Sequence, residues 1–168
     1  MGTWLNSDGL YRKFGTDSAT ATTAGDYSKD GPNRMIELDI NVASLTTSSA
    51  IMADTTFIPA GVFIDKVELI ATTALQTITS LSIGAVKFDR STAIAENAIA
   101  DAVVIADLNG AGETKTLTGP AASGGAGTKV GTTFGSDPGY ITAKIAGSTG
   151  TGVVKVRIFY RGVPPITY

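Results

Sequence analysis

The stretch that decides the fold is MIELDINV, residues 35–42, in which Ile36, Leu38, Ile40 and Val42 alternate strictly with Met35, Glu37, Asp39 and Asn41. A period of two puts the apolar set on one face of a β-strand and the polar set on the other, as in a sheet with a core on one side and water on the other. The pattern recurs further along the chain. Residues 55–58 and 62–71 flank Pro59-Ala60-Gly61, where Pro presets φ and Gly tolerates a positive φ, so they read as two strands joined by a tight turn. Residues 79–88, TSLSIGAVKF, place Leu81, Ile83 and Ala85 on one side, with Gly84 as a candidate bulge. YITAKIA (140–146) and VVKVRIFY (153–160) alternate on either side of GSTGTG, which reads as a terminal hairpin. Several short strands separated by Gly/Pro turns predict a mainly all-β fold, a β-sandwich.

Three segments depart from that pattern. Residues 1–34 carry Trp4, Leu5, Tyr11, Phe14 and Tyr27 among small polar residues with neither period, and are read as an extended N-terminal arm ahead of a single domain over 35–168. In residues 91–108, Ile94, Ala98, Ile99, Ala102, Val103 and Ala106 recur at three- and four-residue spacing after Ser91 and Thr92. The spacing predicts a short helical insertion over about 92–108, stopped by Asn109-Gly110-Ala111-Gly112. Residues from about 109 to 128 form a Gly-rich loop, and the wider stretch to 139 holds short strand-like pieces at KTL and KVGTTF.

Composition narrows the chemistry. The 168 residues, 43% of them hydrophobic, suffice for one core that buries roughly 70% of the surface exposed by the unfolded chain. The chain has no cysteine and no histidine. Thiolate chemistry is therefore excluded, and so are the commonest general base and metal ligand. With 13 basic and 15 acidic residues and a net charge of −2, no electrostatic footprint for a phosphate backbone exists, so nucleic acid is not expected as a direct partner. The opening lacks a basic region followed by an apolar one, Asn6 stands where myristoylation needs Ser or Thr, and no apolar run approaches a membrane span. A soluble protein with no membrane partner is expected.

Candidate chemical motifs fail on spacing or context. A phosphate-binding loop needs Lys directly after its last Gly, whereas Thr128 separates Gly127 from Lys129, and Glu113 and Thr114 separate Gly112 from Lys115. Asp26, Ser28, Asp30, Gly31 and Glu37 match a calcium-loop spacing, but Asn33 replaces the usual apolar residue and Glu37 lies in an alternating strand, so an ordinary Asp/Gly turn is the better reading. Glu37 and Asp39 share one strand face without a sugar platform beside them, which favours a solvated face over a glycosidase pair. No catalytic residue, cofactor or metal site is expected. The last strand carries Lys155, Arg157 and Arg161 on one face, either a solvated basic stripe that discourages edge-to-edge aggregation or a docking stripe for an acidic partner.

Four segments, GTWLNSDGLYRKFG (2–15), DTTFIPAGVFIDKVELIATTA (54–74), SLSIGAVKFDRST (80–92) and VVKVRIFYRG (153–162), resemble a family of small tailed-bacteriophage capsid decoration, or cement, proteins. The resemblance spans most of the chain and implies a jelly-roll-like β-sandwich. It also implies a homotrimer on the outer surface of the virion that bridges neighbouring major capsid protein subunits and stabilises the shell. On that reading Trp4, Leu5, Tyr11 and Phe14 of the arm, and secondarily Lys155, Arg157 and Arg161, are the partner-binding residues. The alternative is a carbohydrate- or receptor-binding module of a phage tail or fibre, for which the loops over 109–152 offer only Phe134 and Tyr140 as aromatic candidates.

Overall fold

The computed structural model describes residues 3–5, 11–13, 33–119 and 125–162. A short hairpin comes first: β1 (Thr3–Leu5) pairs antiparallel with β2 (Tyr11–Lys13). The rest is one antiparallel sheet made of β3 (Asn33–Asn41), β4 (Ala50–Ile51), β5 (Phe57–Ile58), β6 (Phe63–Lys87), β7 (Ala93–Val104), β8 (Thr114–Thr118) and β9 (Gly139–Arg161). The all-β architecture expected from the alternation is the one the chain adopts.

Two strands organise this sheet. β6 and β9 run 25 and 23 residues and pair with each other from Phe63↔Arg161 to Lys87↔Gly139. Each therefore serves two layers. In the first, the order is β3, the C-terminal part of β9, the N-terminal part of β6, then β8. In the second, β4 and β5 flank the N-terminal part of β9, which pairs with the C-terminal part of β6 and through it with β7. Between the layers the ladder is irregular, with register shifts from Ala71 to Ser80. Thr77 takes φ 73° there, and Gly147 and Gly152 take 98° and 113°. Gly152 is required for packing as well as for φ, because a Cβ would stand 2.5 Å from the Ala74 carbonyl oxygen.

Loops stitch the layers together on both sides. A 3-10 turn at Val42–Ser44 follows β3, and the Ile145 amide then donates to the Thr46 carbonyl at 3.0 Å. On the opposite side, a second 3-10 turn at Ile105–Asp107 leads to Leu108, whose carbonyl accepts from the Leu75 amide at 3.0 Å. At the other end of that side, Lys129 donates to the Ala98 carbonyl at 2.9 Å, Gly131 to Ile64 at 2.7 Å and Phe134 to Val62 at 2.8 Å. A single core results. Ile36, Leu38, Ile40, Val154, Val156, Ile158 and Tyr160 line it from the first layer, Leu81, Ile83, Ile141 and Ile145 from the second, and Leu108, Val130 and Phe134 from the crossing loops. Each such aliphatic side chain contributes roughly 1.5–3 kcal/mol relative to an exposed one.

Two expectations are corrected here. The helical insertion over about 92–108 is instead β7 followed by one 3-10 turn. While β6 advances from Ile83 to Ala85, β7 runs from Ala100 to Ala95, and Ala102 sits at φ 47°. These extra residues break the alternation and bury Ala98, Ile99 and Ala100 in succession, so bulges, and not helical turns, generate the three- and four-residue spacing. The terminal hairpin is likewise absent. Residues 140–146 and 153–160 belong to one strand, and both pair with β6. Of the expected N-terminal arm, only 3–5, 11–13 and 33–34 lie among the described residues.

The Gly-rich stretch has a packing reason. A Cβ on Gly127 would lie 2.4 Å from the Ala98 carbonyl carbon and oxygen, and one on Gly119 would lie 1.8 Å from the Val130 carbonyl oxygen. Both neighbours are backbone and cannot rotate away. Gly127→Ala should therefore cost about 2 kcal/mol, within the usual range for overpacking, read as a lower urea midpoint at unchanged m-value; an unshifted midpoint would contradict this packing.

Candidate functional site

The outward surface of the first layer is a lattice of paired charges. The strand register sets Glu37 beside Arg157 and Asp39 beside Lys155, with Glu68 on the far side of Arg157. Lys155 Nζ lies 2.9 Å from Glu37 Oε1 and 3.1 Å from Asp39 Oδ1, and Arg157 Nε lies 2.7 Å from Glu37 Oε2. Lys66 pairs with Glu68 at 2.7 Å and stands 4.4 Å above the Phe159 ring. Arg161 pairs with Asp65 at 2.9 Å and covers the Phe63 ring at 4.8 Å. Lys66, Lys155, Arg157 and Arg161 thus face Glu37, Asp39, Asp65 and Glu68, and the surface is balanced. Hydrogen bonds from Lys155 and then Arg157 hold the Glu37 carboxyl below its ordinary range, and those to Glu37 and Asp39 push the Lys155 ammonium up. A shallow cleft of about 400 Å³ lies among Asp65, Lys66, Thr118, Phe159, Tyr160 and Arg161.

One end of the second layer has a different character. Register places Phe57 on β5 beside Tyr140 on β9, and Tyr140 beside Val86 on β6. Phe88, just beyond β6, stacks on Tyr140 with ring centroids 4.7 Å apart and meets Phe57 edge-on at 5.2 Å and 87°. The Arg90 guanidinium lies 5.5 Å from the Tyr140 ring and pairs with Asp54 at 3.2 Å. Lys87 pairs with Asp137 at 2.9 Å. Phe88 remains 45% exposed, and Val104, at the far end of β7, is 50% exposed.

A local device holds Phe88 and Arg90 out. The Asp89 carboxylate accepts from the Ser91 and Thr92 amides at 2.9 and 2.8 Å and from the Thr92 hydroxyl. The Lys87 amide donates to the Thr92 carbonyl at 2.9 Å and closes the turn, with Arg90 at φ 62°. Hydrogen bonds from the Thr92 hydroxyl and then the Thr92 amide favour the charged carboxylate, whose pKa falls to about 2. Asp89 is a positioning residue for the aromatic end.

The residues singled out from sequence fare unequally. Lys155, Arg157 and Arg161 do share one face, but β9 is an interior strand between β3 and β6. The stripe therefore guards no edge, and each cation already has a carboxylate partner. Trp4, Leu5 and Tyr11 fall on the β1/β2 hairpin backbone, and Phe14 lies outside the described residues. So do Asp26, Ser28, Asp30 and Gly31 of the calcium-like spacing, while Glu37 is committed to Lys155 and Arg157. Among the described residues no group of three or more potential metal-ligating side chains occurs. Phe134 is fully buried in the core, so it cannot serve as a loop aromatic for a ligand. Phe57, Phe88 and Asp89 were not foreseen as a site. The signal was present in Phe88-Asp89-Arg90-Ser91-Thr92, since an Asp two and three residues before Ser and Thr amides is an Asx-turn pattern.

No protein-family model and no curated protein sequence matches the chain. Among solved structures, a chain of the cyanophage Pam1 capsid asymmetric unit is similar at 19% identity and a TM-score of 0.49, covering 87% of this chain and 96% of that one. A chain of the acid-stable capsid of the Helicobacter pylori bacteriophage KHP30 is similar at 16% identity and a TM-score of 0.46, covering 82% and 95%. At that level the likeness carries no argument about function, which rests below on this chain's own residues.

Two pH effects follow from the carboxylates. The folded state lowers the Asp89 pKa, so its turn is fully held above the ordinary value of 3.8 and released as pH falls through about 2. Exchange protection of the Ser91 and Thr92 amides should track that range and be absent at every pH in Asp89→Ala; protection that survives in the variant would contradict the assignment. Glu37 is lowered from 4.5, so its contribution is present above that pH and is lost on acidification. Glu37→Gln should flatten the acid limb of the stability curve below about pH 4.5, measured by urea midpoints against the parent.

Proposed function

We propose that this chain is a structural virion protein of a tailed bacteriophage: a capsid decoration protein that sits as a homotrimer on the outer surface of the shell and binds across neighbouring major capsid protein subunits. The observation that carries this reading is the contrast between its two surfaces. One is a balanced lattice of ion pairs suited to water, where exposed pairs contribute little to binding. The other exposes Phe88 on two half-buried rings, the aromatic enrichment of an interface centre. The four sequence segments that resemble cement proteins support the same reading.

The role is energetic. A rigid domain laid across subunit boundaries buries surface that must be re-exposed before the shell opens, and so raises the barrier to rupture. Each contact can be weak, because many copies on one lattice act together. In this reading the arm residues Trp4, Leu5, Tyr11 and Phe14 grip neighbours. Lys155, Arg157 and Arg161 rank lower as contacts, since an acidic partner would have to displace Glu37, Asp39 and Asp65. No reaction, cofactor or metal enters the proposal.

The carbohydrate-binding alternative gains one observation, because half-buried Tyr140 and Phe57 join exposed Phe88 in one aromatic group. Binding to a glycan array by the isolated protein would favour it.

Particles prepared without this chain test the leading reading. Added protein should rebind, appear by electron microscopy as density outside the shell where subunits meet, and raise the temperature of genome release; failure to rebind contradicts it. Removing residues 1–14 should leave the urea midpoint unchanged and abolish binding, whereas normal decoration by the truncated chain would overturn the role of the arm.

A further inference from the structure

The exposed aromatic end has no role inside the fold that accounts for its exposure. Phe88 stands 45% exposed in a domain whose other large apolar side chains are, apart from Val104, buried or half-buried among the described residues. Its position is not slack. The Asp89 carboxylate ties down the turn that carries it, Tyr140 backs it as a stacked ring, and Phe57 abuts its edge. Rings presented on a rigid support at low entropic cost are what an interface anchor requires.

Charge identifies the kind of partner. Around the rings, Arg90 is paired with Asp54 and Lys87 with Asp137, while the Asp89 carboxylate is occupied by its own turn. Among the described residues around the rings, both cations are already paired, and neither is left free for a phosphate or an anionic lipid head. What the surface still offers is apolar contact beside a rim of two cations and three carboxylates, in which Lys87 and Arg90 are ion-paired and the Asp89 charge is taken up by its own turn; such a rim fits an uncharged apolar patch on a folded protein.

Area separates a foreign subunit from a second copy of this chain. Phe88 offers on the order of 100 Å² and the whole patch a few hundred, against about 800 Å² per partner in a stable pairwise interface. Such a patch cannot hold a dimer together by itself, but it suffices where many copies bind one lattice.

We infer that Phe57, Phe88 and Tyr140, held by the Asp89 turn and flanked by Arg90, form the docking surface for an uncharged apolar patch on the shell-forming subunit. The inference rests on the decoration reading and specifies which surface of this chain faces the shell.

The test uses the full chain and shells that lack it. Phe88→Ser should lower the urea midpoint only modestly, through the lost ring contacts with Tyr140 and Phe57, and raise the apparent Kd for shells at least ten-fold. Val104→Ser, at the far end of β7, should bind as the parent does. Hydroxyl-radical footprinting of the unaltered chain supplies a readout that needs no variant: Phe57, Phe88 and Tyr140 should lose reactivity when the chain is shell-bound. If the parent chain fails to bind shells, the decoration reading itself falls. If the parent binds and Phe88→Ser binds within two-fold, or the footprint of the three rings is unchanged, only this assignment falls. It is equally overturned if Phe88→Ser alters the oligomeric state of the free chain, or loses binding on a glycan array, while shell binding persists.

Discussion

The pairing of β6 with β9 is the constraint on which everything else depends. Each strand is long enough to cross both layers, and each finds its partner in the other from Phe63↔Arg161 to Lys87↔Gly139. Every remaining strand of the sheet attaches to one of these two: β3, β4 and β5 to β9, β7 and β8 to β6. Because the β3–β9 register is unbroken, placing Val154, Val156, Ile158 and Tyr160 in the core forces Lys155 and Arg157 outward, where Glu37 and Asp39 meet them. The β6–β9 ladder, followed to its other end, brings Tyr140 beside Val86 and delivers Phe88 to the turn. A slip by one residue would exchange core and surface along the whole strand.

How much of this was legible follows from the same geometry. MIELDINV announced β3 because one strand, one register and one buried face leave the alternation intact. The two long strands were read as four pieces, because Gly147–Gly152 has the composition of a turn and the alternation lapses over Thr72–Thr77. In the fold those residues bend a continuous ladder, with Thr77, Gly147 and Gly152 at positive φ. Residues 93–104 mimicked a helix because the bulged register opposite Ile83 and Ala85 adds residues to β7 and shifts which of them face the core. Alternation reports one strand faithfully and says little about where a strand is bent.

The candidate site was harder to see than the fold, for a related reason. Lys155, Arg157 and Arg161 were visible as a stripe on one strand, but their carboxylate partners lie on β3 and β6, over a hundred residues away for Glu37 and Asp39. A stripe that looked basic in sequence is neutral in space. Conversely, Phe57, Phe88 and Tyr140 are isolated aromatics along the chain and become a group only through the β5–β9–β6 register. Long-range pairing thus neutralises the feature that stood out and assembles the one that did not.

On the proposed decoration reading the two surfaces have opposite duties, the paired charges toward water and the ringed end toward the shell. Amide hydrogen exchange on the free and shell-bound chain compares them in one experiment. The account predicts slowed exchange over residues 57–58, 86–92 and 139–141, with residues 35–39 and 155–159 exchanging alike in both states. Slowing confined to the charged surface, with the aromatic end unchanged, would contradict it.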